Sequence, residues 1–223
     1  MYSGILKNTR IYYFMKDKKE LIEFLKAQGT LKSPSIIAAF EVVGRQNFVP
    51  EEMKAAAYAD EALPIGFGQT ISQPTTVAFM LEHLAPQEGD IIFDVVSGSG
   101  WQATLLAHIV GEKGKVYTAE IVPELCEFGS ENIKKYPELA SRIISECGNA
   151  SAGVKALAQQ ESLDKIIAAA SLDEVPSVWR AQLKVGGKMI YPSHESLIEE
   201  TKVGAEEFKK VEYPGFVFVP FVN

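Results

Sequence analysis

The residues most able to do chemistry lie near the middle of the chain. Asp94-Val95-Val96-Ser97-Gly98-Ser99-Gly100-Trp101-Gln102-Ala103 runs from a short apolar segment into a helical one. Glycines between a strand and a helix let the backbone approach a ligand, and the helix N-terminus favours negative charge. Glu120 closes the next apolar segment, 20 residues beyond Gly100. An acid there can accept both hydroxyls of a ribose. Strand, glycines, helix and second-strand acid, in that order, point to a nucleoside-containing cofactor; a lone Gly-Ser-Gly would indicate only a turn. Gly98-x-Gly100-x-x-Ala103 satisfies the dinucleotide fingerprint literally. Asp94, just before the turn, instead suits the ammonium group of S-adenosyl-L-methionine (SAM) and would repel a pyrophosphate. SAM is therefore the favoured cofactor.

These residues need a scaffold, and the chain supplies one by alternation. Apolar strand segments are read at Ile91–Val96, Lys115–Ile121, Arg142–Cys147, Lys165–Ala169 and Lys188–Tyr191. Helical segments fall between them at Trp101–Val110, Pro123–Lys135, Ser151–Gln160 and Pro176–Leu183, the last followed by a Gly186–Gly187 turn. Such alternation implies right-handed crossovers and a mostly parallel sheet. Helices are read at Lys18–Ala27, at Pro34 onward with Ser33 as N-cap and Gly44 beyond the end, and at Pro74 to about Leu84. Residues 1–16 read as an irregular lead-in and 45–74 as a long ordered loop with short helical pieces, a length that is usually functional. Ser196–Val203, Glu206–Glu212 and Gly215–Val222 read as antiparallel strands, and the charges of Glu195–Lys210 as a solvated strand pair.

Composition limits the function. The chain has 223 residues, enough for one domain with a full core. A net charge of 22 − 29 = −7 argues against nucleic acid as main partner, because phosphate binding needs a basic footprint. Cys126 and Cys147 form no CxxC pair and no metal-ligand cluster, so no metal is expected. They read as two thiols in a reducing compartment. No stretch approaches the length of a membrane span, and no cleavable leader is visible, so a cytoplasmic protein is expected. His83, His108 and His194 are scattered and carry no functional reading.

The front half decides the family. Arg45-Gln46-Asn47-Phe48-Val49-Pro50, Tyr58-Ala59-Asp60 and the run Leu63-Pro64-Ile65-Gly66-Phe67-Gly68-Gln69-Thr70-Ile71-Ser72-Gln73-Pro74 resemble the protein-L-isoaspartate O-methyltransferases. The glycine loop, Glu120-Ile121-Val122-Pro123, Gln182–Gly187 and Phe218-Val219-Pro220 are similar to later motifs of the same family.

The resemblance covers about residue 18 to the end. It implies one Rossmann-like SAM-dependent methyltransferase domain: N-terminal helices and substrate loop over 1–85, cofactor-binding βα units over 86–192, C-terminal strands over 193–223. The implied reaction methylates the α-carboxylate of an L-isoaspartyl residue in an aged protein or peptide, leaving S-adenosyl-L-homocysteine. By the same resemblance Ser72 is the active-site hydroxyl that holds the substrate carboxylate; it could also cap the helix at Pro74. Thr70, Ile71, Ser72, Gln73, Asp94, Ser97, Gly98, Ser99, Gly100, Glu120, Ile121, Gly148 and Asn149 are the cofactor set. Ile65, Gly66, Gln69 and Val219 are the substrate set. A monomer is expected. Two positions depart from the family pattern: Val96 replaces a glycine at the turn, and Gly148-Asn149-Ala150 replaces Gly-Asp-Gly at the adenine edge. Both weaken the expected cofactor grip, so a relative that binds peptide without catalysis, or one methylating another carboxylate, stays open.

Overall fold

The alternating segments close into one seven-stranded sheet in the computed structural model, which describes residues 4–7, 10–13, 15–157 and 161–222. In chain order the elements are β1 (Gly4–Lys7), β2 (Arg10–Tyr13), α1 (Lys18–Ala27), α2 (Pro34–Val42), β3 (Leu63–Gly66), β4 (Gln69–Ile71) and α3 (Pro74–Leu84). There follow β5 (Ile91–Val95), α4 (Trp101–Val110), β6 (Lys115–Glu120), α5 (Pro123–Lys134), α6 (Pro137–Ala140), β7 (Ile143–Cys147) and β8 (Leu163–Ala168). The chain ends with α7 (Ser177–Gln182), β9 (Leu183–Ser193), β10 (Ser196–Lys202) and β11 (Phe208–Pro214). The strand order is β11-β10-β9-β8-β5-β6-β7. Strands β9 to β7 are parallel, while β10 is antiparallel to both its neighbours. Winding runs outward from β5 through β6 to β7, then returns to β8 on the other side of β5. That reversal opens a crevice at the carboxyl ends of β5 and β8, where ligands bind in such sheets.

Local sequence explains the boundaries. Asp17 caps α1 by accepting from the Glu20 amide at 2.9 Å. Proline stands at the first turn of α2, α3 and α5, where its missing N–H costs nothing. Ser33 occupies the N-cap position of α2 without a side-chain cap bond; instead Glu82 of α3 accepts from the Lys32 and Ser33 amides and from the Ser33 hydroxyl, each at 2.7 Å. Helix α4 is buried almost all round, and Phe40 of α2 meets Trp101 of α4 edge to face at 5.5 Å. The N-terminal helices thus cover the element that opens the cofactor site.

Several segments differ from the sequence reading. Gly4–Lys7 and Arg10–Tyr13 pair as antiparallel strands β1 and β2, where an irregular lead-in was expected. Of the expected 151–160 helix only Ser151 and Ala152 are helical among the described residues, as the end of the 3-10 turn Ala150–Ala152; 158–160 lie outside the described residues. Gly153 takes φ +68, and its neighbour Val154 bonds through N–H and C=O to the Gln182 side chain, which stops the helix. Gly186–Gly187 lies inside the continuous β9 rather than in a turn. Residues 215–222 add no ladder, only a bridge between Ser171 and Pro220. Strand β10 is not solvated: Glu199, Glu200 and Lys202 are buried. Glu199 is paired with Lys188 at 2.8 Å and Glu200 with Arg180 at 2.8 Å, while Lys202 caps the Leu183 carbonyl at 2.7 Å. Cys126 and Cys147 are joined by a disulfide linking α5 to the end of β7, so the expectation of two thiols is corrected. Among the described residues no helix is long and apolar enough to cross a membrane.

Candidate active site

The crevice is floored by the turn after β5. Val96 takes φ +65 there, a left-handed conformation that β-branched residues resist. Its amide and that of Ser97 donate to the Ala119 carbonyl at 3.0 and 3.1 Å. Gly98 and Gly100 also take positive φ, +47 and +83. The two glycines do different work. A Cβ on Gly100 would lie 2.9 Å from the Gly129 carbonyl of α5, so Gly100 is required for packing. Gly98 faces the hairpin, where a Cβ would meet only Ile65 at 3.4 Å.

Glu120, 3% exposed, ends β6 beside this loop. Its Oε2 accepts from the Gly98 amide at 2.9 Å, and its Oε1 from the Ile121 and Val122 amides at 2.9 and 3.0 Å. The carboxylate is thereby fixed and keeps lone pairs for a further donor. Asp94 is fully buried and absent from the cavity wall. Gln102 donates to its Oδ1 at 2.6 Å, its Oδ2 has no partner, and burial pushes its pKa up to about 7. Gln102, not Asp94, reaches the cavity.

The roof is the β3–β4 hairpin, whose tip Gly66-Phe67-Gly68 has positive φ throughout. Arg45 pins its base. This guanidinium, 1% exposed, donates to the carbonyls of Ala57 (2.8 Å), Ala59 (3.3 Å) and Glu61 (2.8 Å) before the hairpin, and of Ile71 (3.4 Å) and Ser72 (3.1 Å) after it. Its far side lies over the Trp101 ring, 5.4 Å from the centroid. Gln73, not Ser72, is the N-cap residue of α3. The first-turn amide of Thr75 is taken by Asp60 at 2.8 Å, so the capping role considered for Ser72 falls away.

Two cavities meet at Ser72. The inner one, of about 40 Å³, lies between hairpin and glycine loop. Its wall includes Thr70, Ile71, Ser72, Ser97, Gly98, Ser99 and Glu120, expected in the cofactor set, beside Gln69 and Val219, expected in the substrate set. Val77, Val96, Trp101, Gln102 and Ala169 complete its wall. Val96 was expected at this site as a departure from the family pattern; Val77, Trp101, Gln102 and Ala169 were not in the expected site set, though Trp101 follows the glycines directly. The outer cavity, of about 310 Å³, shares Thr70, Ser72, Ala169 and Val219 and extends to Gln73 and Phe218. The tail lies along its rim, with the Val219 carbonyl accepting from the Ser171 amide at 2.8 Å. Other expected residues sit outside both cavities. Ile65 is buried beneath the hairpin and Gly66 turns it. Ile121 serves Glu120, and the Gly148 amide donates to the Glu120 carbonyl at 2.8 Å. Asn149 is exposed, with its carbonyl oxygen turned to the Ser151 amide at 2.8 Å and the Ser151 hydroxyl.

A doubly wound sheet with a glycine loop and a fixed acid at its switch point defines a Rossmann-like, nucleoside-cofactor-binding α/β protein. The family model for protein-L-isoaspartate(D-aspartate) O-methyltransferase (PCMT) matches residues 15–223, and the chain belongs to that family. A protein-L-isoaspartate O-methyltransferase of Staphylothermus marinus is 36% identical over 221 residues, covering 94% of this chain and 96% of that protein. One of Ignicoccus hospitalis is 42% identical over 178 residues, covering 80% and 82%. A Plasmodium falciparum protein-L-isoaspartate O-methyltransferase, solved with S-adenosyl-L-homocysteine, superposes with a TM-score of 0.81 at 27% identity, covering 93% of this chain and 99% of that one.

Proposed function

We propose that this protein transfers a methyl group from SAM to the α-carboxylate of L-isoaspartyl residues in damaged proteins or peptides. The observation that carries the reading is that Ser72 lines both the inner cavity, with Glu120 and the glycine loop, and the outer cavity of about 310 Å³. The residues present fit the cofactor: Glu120 offers a fixed acceptor for ribose hydroxyls, and Gly98 leaves room for backbone approach. SAM, when bound, supplies a methyl group already activated by its sulfonium.

The protein's own work is positional. A carboxylate is ionised at neutral pH, so no general base is needed. The Ser72 hydroxyl, without a hydrogen-bond partner among the described residues, donates to that carboxylate and aims it. The hairpin covers the junction and excludes water, which raises the yield of in-line attack. The neighbouring backbone nitrogen then attacks the ester carbonyl and expels methanol, giving a succinimide that water reopens partly to aspartate.

Val96 favours a second reading, a member of the same fold with weakened cofactor binding, because its side chain lines an already narrow cavity. We take the protein as a monomer, and its acidic charge supports protein rather than nucleic acid as partner. We assign it to the cytoplasm, where SAM is available. Mass spectrometry of an isoaspartyl peptide incubated with SAM tests the proposal. The peptide should gain a methyl group, then lose methanol, then appear in part as the aspartyl isomer. A peptide that never gains the methyl group refutes it.

A further inference from the structure

We propose that Arg45 is a positioning residue for methyl transfer: a buried cation that sets the orientation of Ser72 and lends positive charge to the carboxylate-binding end of the site. The inference rests on the reading of the site as an isoaspartyl methyltransferase centre.

The guanidinium is unusual in what surrounds it. Among the described residues no carboxylate forms an ion pair with it, and main-chain carbonyls alone accept from it. Buried charges are ordinarily paired. The nearest acids that act on Arg45 do so only through space: Asp60 is committed to Gln73 and Thr75, and Glu61 contributes its carbonyl. The positive charge is therefore met by carbonyl dipoles and by acids acting through space, with no direct ion pair. It stands in contact with the Ser72 backbone, in a protein whose net charge is −7. An anionic substrate group arriving at the Ser72 hydroxyl would supply a further counter-charge, and low-dielectric surroundings make such an interaction stronger than it would be in water.

Geometry adds a second role. The carbonyls come from both sides of the hairpin, 57–61 and 71–72, so one planar fork ties the roof at its two ends. The same fork rests on Trp101, which lines the inner cavity at the first turn of α4. Lysine keeps the charge but has a single nitrogen, which cannot reach both groups of carbonyls. Methionine fills similar space with neither property.

The two roles separate in steady-state kinetics. Arg45→Lys should lower kcat roughly tenfold with KM for an isoaspartyl peptide near the wild-type value, because positioning is lost and charge kept. Arg45→Met should lower kcat and also raise KM roughly tenfold. S-adenosyl-L-homocysteine affinity should stay within about threefold in both, since neither property is directed at the cofactor. Folded variants with wild-type kcat and KM overturn the inference, as does Arg45→Lys performing no better than Arg45→Met. A loss of cofactor affinity matching the loss of rate also overturns it. If neither variant folds, nitrogen-15 NMR of the Arg45 guanidinium in the wild-type protein decides. Its resonances should shift when isoaspartyl peptide joins the S-adenosyl-L-homocysteine complex and not with the aspartyl twin; identical responses overturn the inference. A wild-type protein that methylates neither peptide instead refutes the functional reading, and the inference with it.

Discussion

Replacing Val96 by glycine changes one property of this protein and leaves another nearly fixed. At φ +65 an L-residue pays roughly 1–2 kcal/mol, and a β-branched one sits at the upper end. Glycine removes that cost. It also gives the unfolded chain freedom worth roughly 0.5–1 kcal/mol. Loss of a half-buried isopropyl group takes away about 1 kcal/mol more. The stability terms cancel to within about 1 kcal/mol. Cofactor binding has no such cancellation. The Val96 side chain lines the inner cavity between the hairpin and the glycine loop, where the cofactor would lie. A smaller residue there leaves the ligand more room. Val96→Gly should therefore tighten S-adenosyl-L-homocysteine by about 1–2 kcal/mol, or roughly five- to thirtyfold. Calorimetric titration beside a thermal melt reads both quantities on one sample. Val96→Ala, which keeps the strain and removes two methyl groups, should fall between. A folded Val96→Gly protein whose affinity is unchanged or weaker refutes the argument that this side chain obstructs the site.

Three further outcomes follow from the site and its supports. Ser72→Ala should slow single-turnover methylation roughly ten- to several-hundredfold, the value of one hydrogen bond to a charged group, with no loss of melting temperature because Gln73 and Asp60 form the helix start; a destabilised mutant with normal rate would contradict it. Asp94 binds its proton up to about pH 7 when folded, against about pH 4 in the unfolded chain, so the native state loses stability as pH rises between these values. Asp94→Asn should remove that slope and be the more stable form by up to a few kcal/mol above about pH 7, with no advantage near pH 4; parallel stability curves for the two proteins would show the carboxyl to be ionised. Reducing Cys126–Cys147, which closes a 21-residue separation, should cost about 3 kcal/mol in denaturant titrations with and without dithiothreitol, and coincident curves would mean that the bond contributes nothing.

The βα units were legible because period and punctuation agree there. Helices α1, α3 and α4 begin and end where Asp17, Pro74 and the glycine turns place them. The inner cavity was legible to the extent that motif residues form it: Ser72, Gly98 and Glu120 do meet. What stayed hidden depends on tertiary partners. Glu199, Glu200 and Lys202 read as solvent-facing because their counter-charges, Lys188, Arg180 and Glu161, arrive from other elements. The 151–160 segment has helical periodicity, yet the Gln182 side chain claims Val154 and ends the turn. Asp94 has the right place in the chain for a cofactor ligand, but its side chain turns inward to Gln102. Arg45 was visible only as part of a motif; that it gathers five carbonyls from both ends of the hairpin required coordinates.

The central claim is that one carboxylate isomer is selected and methylated at Ser72. Single-turnover transfer of a labelled methyl group from SAM to two peptides, identical except for an isoaspartyl or a normal aspartyl residue, tests it most directly. The account predicts base-labile label in the isoaspartyl peptide, one equivalent of S-adenosyl-L-homocysteine released per methyl group, and background in the twin. Equal labelling of both peptides, or none in either while S-adenosyl-L-homocysteine binds, would contradict it.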